Sequence, residues 1–339
     1  MPDWLELLRL AVANQASDVF LSAGCSPRMR VRGELQQLGA SAVLTDAYLA
    51  NVLDCMLSAQ QRQHLQAALE VDLAFQHEQI GRFRVHIFQH RRGVGLVLRV
   101  IALKPPRLDQ LAGRDPLALT MLNAVADHTS GLVLFVGSTG SGKSSTQAAV
   151  VDALNRDGRR HIVCIEDPIE YVHPNTTGLI HQRQVGGHVS CFAQALRAAL
   201  REAPDVIALG ELRDATTIQL ALEAAETGHL VLATCHASSA VHSVTRLLEG
   251  VPPGQRVLAR SVLAASLVMV VYQQLTPAGT GSRVAAFELL NVTSAVRNLI
   301  REDKPAQLHS VMQTGRQQGM QTITQALQRL HSAGVIAAQ

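Results

Sequence analysis

Trp4, Leu5, Leu8 and Val12 recur at helical spacing, and Val19, Phe20 and Leu21 follow Asp18 as a short strand. Two later stretches alternate with a period of two: Arg28, Met29, Arg30, Val31, Arg32, and Arg82, Phe83, Arg84, Val85, His86, Ile87. Each puts apolar side chains on one face and mostly basic ones on the other, which predicts half-buried strands. Residues 93–101 continue that sheet. The segment from Leu103 through Pro105 and Pro106 to Arg107 forbids helix and favours an extended spacer, so the first domain is expected over 1–103 and a linker over 104–113.

Beyond Leu111 the pattern changes to short, uninterrupted apolar runs at 132–136, 162–165, 206–209 and 230–233, with room for a helix between each pair. Such runs are expected of parallel strands buried on both faces, in an open doubly wound α/β fold whose ligands lie beyond the carboxyl ends of the strands. A further strand is expected at 284–290, followed by helices at 295–302, 307–312 and 320–330, the last ending near Gly334. Ser294 is the expected cap of the first of these, and Val296, Leu299 and Ile300 form its apolar stripe.

Composition narrows the function classes. With 339 residues, 47% hydrophobic and 17% charged, the chain can bury the cores of two domains without disulfides or a structural metal. A formal charge of +3, from 30 basic and 27 acidic residues, gives no reason to expect nucleic acid, and 3% aromatics leave few rings on which bases could stack. The N-terminal stretch lacks the basic lead-in and cleavage site of a signal peptide. The most apolar later segment, 262–272, is interrupted by Ser266 and is too short to span a bilayer. The five cysteines are dispersed without a CxxC pair, as expected of reduced core thiols in a cytoplasmic protein.

Gly137, Ser138, Thr139, Gly140, Ser141, Gly142, Lys143 and Ser144 spell GxxxxGKS, directly after an apolar run and before the helix-compatible stretch 145–154. Typical residue frequencies put a chance match at roughly one in a hundred for a chain of this length. A flexible Gly/Ser turn is the ordinary alternative, and the strand and helix on either side argue for a phosphate-binding P-loop. There the glycines let successive amides converge on phosphate oxygens at a helix N-terminus. Lys143 would reach the β- and γ-phosphates and the Ser144 hydroxyl would ligate Mg²⁺.

The later runs also end in polar groups: Glu166, Asp167 and Glu170 after Ile165, Gly210 and Glu211 after Leu209, and His236 after Thr234 and Cys235. Alone, each has a bland account as a cap, a solvated charge or a structural histidine. Beside a P-loop they converge on one crevice. Hydrolysis needs one carboxylate to hold Mg²⁺ through water, another to orient or deprotonate the attacking water, and a donor that senses the γ-phosphate. A Walker B element has Asp at the strand end before Glu, yet Gly210 occupies that place, so Glu211 and Glu166 are expected to share the work.

Residues 137–146, 165–171, 199–206 with 210–214, and 227–236 resemble the Walker A, Asp-box, Walker B and His-box motifs of the secretion ATPase superfamily, which powers type II secretion and type IV pili. Residues 295–302, with 313–315 and 319–322, are similar to the C-terminal signature of its PilT-like twitching-motility (retraction) branch, and the resemblance runs from about Ser17 to Ile336. It implies a PAS-like α+β domain over 1–103, a linker, a RecA-like P-loop NTPase core over 114–282 with helices on both faces of a mainly parallel sheet, and a C-terminal strand and helical subdomain over 283–339. It further implies ATP held by residues 137–145, Ser145 included, catalysis by Lys143, Glu166, Glu211 and His236, and Mg²⁺ at Ser144 and Glu211.

The same resemblance implies a homo-hexamer with nucleotide between domains, approached by arginines of the N-terminal domain. Arg84 and Arg99 are the leading choices for these, and a solvated strand face accounts for both equally well. Ala203, Cys235, Ala237, Ser145 and Gln147 depart from the usual pattern without removing a phosphate or metal ligand. The expected function is an ATP-hydrolysing ring that retracts a type IV pilus from the cytoplasmic face of the inner membrane, with a membrane platform protein and a paralogous ATPase as candidate partners. A weakly hydrolysing, nucleotide-dependent accessory subunit is the alternative, and a nucleic-acid translocase is the third reading.

Overall fold

Alternation in the first hundred residues builds an antiparallel sheet with one buried face. In a computed structural model that describes residues 3–39, 42–101, 104–279 and 283–336, the chain divides into two units, Met1–Lys104 and Pro105–Gln339. The first unit runs α1 (Trp4–Ala13), β1 (Asp18–Ser22), β2 (Arg28–Val31), β3 (Glu34–Gln37), α2 (Asp46–Met56), α3 (Ala59–Ala68), β4 (Glu70–His77), β5 (Gly81–His90) and β6 (Gly93–Ile101). Its strands lie in the order β3-β2-β1-β6-β5-β4, and each neighbouring pair is antiparallel. Phe83, Val85 and Ile87 are fully buried with Val19, Leu21, Leu98 and the α1 residues Leu8 and Ala11. The opposite face carries a transverse row set by register, Arg30 beside Asp18, Asp18 beside Arg99, and Arg99 beside Arg84.

The second unit runs α4 (Leu108–Ala112), α5 (Pro116–Ala124), β7 (Gly131–Val136), α6 (Lys143–Asp157), β8 (His161–Glu166), β9 (Leu179–Gln184), α7 (Phe192–Ala199), β10 (Val206–Leu209), α8 (Ala215–Glu226), β11 (Leu230–Cys235), α9 (Ala240–Glu249), α10 (Arg256–Ser266), β12 (Leu267–Pro277), β13 (Arg283–Asn291), α11 (Ser294–Arg301), α12 (Leu308–Thr314) and α13 (Ile323–Ser332). The strands form one sheet in the order β13-β12-β7-β11-β10-β8-β9, parallel except for β13. In β7, Leu132, Leu134 and Val136 belong to the core on one face, and Val133 and Phe135 to the core on the other. That double burial is why the run shows no alternation.

Several expectations are corrected. The apolar segment 262–272 is two elements: α10 ends at Ser266 and β12 begins at Leu267, beside β7. β9 escaped the pattern because an edge strand need not be apolar, and only Ile180 of its six residues is buried. Residues 104–113 are not only a spacer, since α4 buries Leu108 and Ala112. The strand placed in a separate C-terminal subdomain pairs with β12 over nine register positions and so belongs to the same sheet. Thr293, not Ser294, caps α11, accepting from Val296 N, although Val296 and Ile300 are buried as expected. Leu103 and the boundary at 282 lie outside the described residues.

Phe135 is 1% exposed at the centre of this sheet. Phe135→Ala is expected to destabilise the Pro105–Gln339 unit by about 3–5 kcal/mol, since an emptied aromatic site in a close-packed core relaxes only partly. An unchanged urea denaturation midpoint would contradict the central placement of β7.

Candidate nucleotide site

β7 delivers the chain to its carboxyl end at Gly137, whose φ of +151° favours glycine. A Cβ there would lie 2.5 Å from the Gln273 carbonyl oxygen and 2.6 Å from Ser141 Oγ. Gly142 precedes α6 at φ +91°, and its Cβ would meet Gln273 Nε2 at 2.7 Å. Both glycines therefore serve one purpose, a loop pressed against β12. No side chain caps the start of α6, so its first-turn amides are left to an anion.

Lys143, the first residue of α6, is 7% exposed and folds its ammonium back over the loop, donating to Gly137 O at 2.9 Å and Ser138 O at 2.8 Å. Burial pulls its pKa below the usual lysine value, against the opposing pull of Glu211, Cys235 and Glu170. Ser141 Oγ is buried with no protein partner among the described residues. Behind the loop, Thr146 Oγ1 donates to Gln273 Oε1 at 2.5 Å, and Gln147 Nε2 donates to Leu209 O and Leu232 O, each at 3.0 Å. Ser145 Oγ and Tyr171 Oη are 2.8 Å apart.

Strand register decides what meets this loop. Val136 pairs with Cys235, Ala233 with Leu209, and Leu209 with Ile165, so Gly137, His236, Gly210 and Glu166 all emerge at one edge of the sheet. Glu211 Oε1 lies 3.2 Å from His236 Nε2, and Oε2 accepts from Arg213 Nε at 2.7 Å. Thr234 Oγ1 donates to Gly210 O while Leu212 N donates to Thr234 O at 3.0 Å, which latches the turn that carries Glu211 to the end of β11. Partial burial pulls the His236 pKa below 6.5, Lys143, Arg246 and Arg213 push the same way, and Glu211 opposes them. The imidazole is therefore neutral at pH 7 and can present one N–H.

Glu166 ends β8. Its Oε1 accepts from Gln182 Nε2 at 2.9 Å and its Oε2 from Glu170 N at 3.3 Å. A Cβ on Gly210 would lie 3.4 Å from both the Glu166 Cα and the Ile165 carbonyl oxygen, so the two strand tips run close together where Walker B would carry an aspartate.

Of the site residues expected from sequence, Lys143, Glu211 and His236 lie together, Ser144 and Ser145 occupy the first turn of α6, and Glu166 stands at the adjoining strand tip. Arg84 and Arg99 are cross-strand partners on β5 and β6 of the other unit, where Arg99 Nε donates to Asp18 Oδ1 at 3.0 Å. Sequence reasoning missed Gln273, Thr234 and Gln182, and read Gln147 only as a departure from pattern. Gln273 directly follows the apolar segment 262–272, which marked a place but not a partner.

The family described as type II/IV secretion system protein matches residues 5–338. The chain is 42% identical over 335 residues to the type IV pilus retraction ATPase PilT of Pseudomonas aeruginosa, covering 99% of this chain and 96% of that protein. It is also 42% identical over 334 residues to a twitching motility protein of Neisseria gonorrhoeae, covering 98% and 88%. A crystal structure of the pilus retraction motor PilT with bound ADP superposes with a TM-score of 0.90 at 38% identity, covering 99% of this chain and 95% of that one.

The charges around His236 set a titration test. By NMR its midpoint is expected below 6.5, lower still in Glu211→Gln, which removes the one carboxylate that favours imidazolium, and higher in Lys143→Ala. A rise in Glu211→Gln would refute the assigned contacts.

Proposed function

We propose that this chain, which belongs to the type II/IV secretion system protein family, works as an ATP-driven ring motor that retracts and disassembles type IV pili. The chain is an ATPase, with a mainly parallel P-loop core preceded by a separate α+β unit. The observation that carries the reading is Lys143 folded over its own loop and facing the Glu211–His236 pair, in a chain so similar to a motor solved with ADP.

The amides of residues 137–144 grip the phosphate chain, and the Lys143 ammonium exchanges its two carbonyl partners for β- and γ-phosphate oxygens. Glu211 and Glu166 orient and deprotonate the attacking water, while neutral His236 turns its one N–H from Glu211 to the γ-phosphate. Arg84 and Arg99 of the PAS-like domain are the candidate arginines for the phosphates, and a positive group arriving as domains close would couple hydrolysis to rigid-body motion. The donors fit Mg²⁺: Ser144 and Glu211 offer oxygen only, and no group of three or more His, Cys, Asp or Glu among the described residues forms an all-protein metal cage. When bound there, Mg²⁺ would neutralise charge on the phosphates.

The functional form is a homo-hexamer seated on a platform protein at the cytoplasmic face of the inner membrane, with a paralogous ATPase as a further partner. No helix among the described residues is long and apolar enough to cross a membrane.

Purified protein is expected to hydrolyse ATP only as a six-subunit species, with turnover falling to background in Lys143→Ala and near it in Glu211→Gln. An unchanged rate in Lys143→Ala overturns the reading. Wild-type turnover no faster than that of Glu211→Gln would mark a weakly hydrolysing accessory subunit, and stimulation by DNA a translocase.

A further inference from the structure

Glu288 lies on β13 opposite Tyr272 and is 5% exposed. Its carboxylate meets backbone amides: Oε1 accepts from Ala240 N at 2.7 Å and Oε2 from Ile323 N at 3.1 Å. Ala240 is the first residue of α9 and Ile323 the first of α13. Each helix already has a hydroxyl cap, Ser239 accepting from His242 N and Thr322 from Gln325 N, so Glu288 takes a further first-turn amide from each. A helix N-terminus carries about half a positive charge, and two of them offset about one carboxylate. That balance lets an anion sit this deep, where burial would otherwise be costly.

The placement bears on His236. Residues 236–239 are the whole connection between β11 and α9. One end is fixed by the pairing of Cys235 with Val136 beside the phosphate loop, and the other by Ala240 on Glu288. The same carboxylate holds α13, whose Leu330 packs with Val284 and Ala286 of β13. We infer that Glu288 is a positioning residue that seats the His236 loop and joins it to the C-terminal helix, so that displacement of α13 is felt at the nucleotide site. The inference rests on the ATPase reading and adds to it the element through which a load on the C-terminus would reach the chemistry.

Two full-length variants break the joint from opposite sides. Glu288→Gln keeps the size but replaces one carboxylate oxygen with an amide nitrogen, which donates and cannot accept. Ile323→Pro deletes the α13 donor at the helix position where proline is best tolerated. Both variants act on the backbone at one end of residues 236–239 or of α13, so amide exchange over 236–239 reports directly on the loop.

Glu288→Gln is expected to lower kcat about ten- to hundredfold with KM for ATP nearly unchanged, the scale of a misplacement of about 1 Å. Amide hydrogen exchange over residues 236–239 should quicken as the loop loosens. Ile323→Pro should move both in the same direction, and the double variant should be no worse than Glu288→Gln, because one joint cannot be broken twice. A carboxylate of structural value only would lower the melting temperature and leave kcat and exchange over 236–239 unchanged, and losses that multiply in the double variant would equally overturn the inference. A wild type that fails to hydrolyse ATP would refute the ATPase reading, and exchange over 236–239 would still decide the role of Glu288.

Discussion

A parallel sheet buried on both faces makes unpaired polarity within its strands costly, and much of the Pro105–Gln339 unit follows from that constraint. Every residue of β7, β10 and β11 is buried. Polar chemistry is therefore pushed past the carboxyl ends, where carbonyls and amides leave their ladders and the chain turns into helices. Lys143, Glu166, Glu211 and His236 share an edge because each stands within a few residues of the end of a strand that had to be apolar. The exceptions support the rule. Thr146 and Gln273 are buried and bond to each other, and Glu288 is buried against two helix ends.

What the amino-acid pattern made legible divides along the same line. The four central strands were plain because double burial erases alternation, and the phosphate loop was plain because its glycines answer to backbone sterics that few other residues satisfy. β9 was hidden, since an edge strand such as Leu179–Gln184 can be polar. The boundary at Ser266 was hidden as well, because a helix end and a central strand that are both apolar merge into one hydrophobic run. The glutamines behind the site could not be assigned at all. Gln147 and Gln273 earn their burial through carbonyls and hydroxyls 62 to 127 residues away in the chain, and no local window contains those partners.

Burial also sets the working state of the ionisable groups. Lys143 is held by two loop carbonyls and by nearby acids, an arrangement that keeps a cation in place with its pKa lowered. That cation in turn opposes protonation of His236, while Glu211 favours it. The three groups thus form one electrostatic unit in which burial first, and the lysine second, disfavour imidazolium. Replacing the carbonyls around Lys143 with phosphate oxygens would alter the balance at His236 without any movement of the sheet.

Position 210 carries no acid, and the adjoining strand tip carries one instead. A Cβ there would meet the Glu166 Cα and the Ile165 carbonyl oxygen at 3.4 Å, an ordinary contact, so sterics do not dictate the glycine. The tips are held together by the strand ladder and its continuation, in which Gly210 N donates to Ile165 O at 2.8 Å. The acid is displaced by one residue to Glu211 on one strand and supplied again by Glu166 on the next. Gln182 and the Glu170 amide hold the second carboxylate, while Arg213 and His236 hold the first. Two carboxylates fixed from different directions on adjacent strands can divide metal and water between them, which a single side chain at the end of β10 could not do.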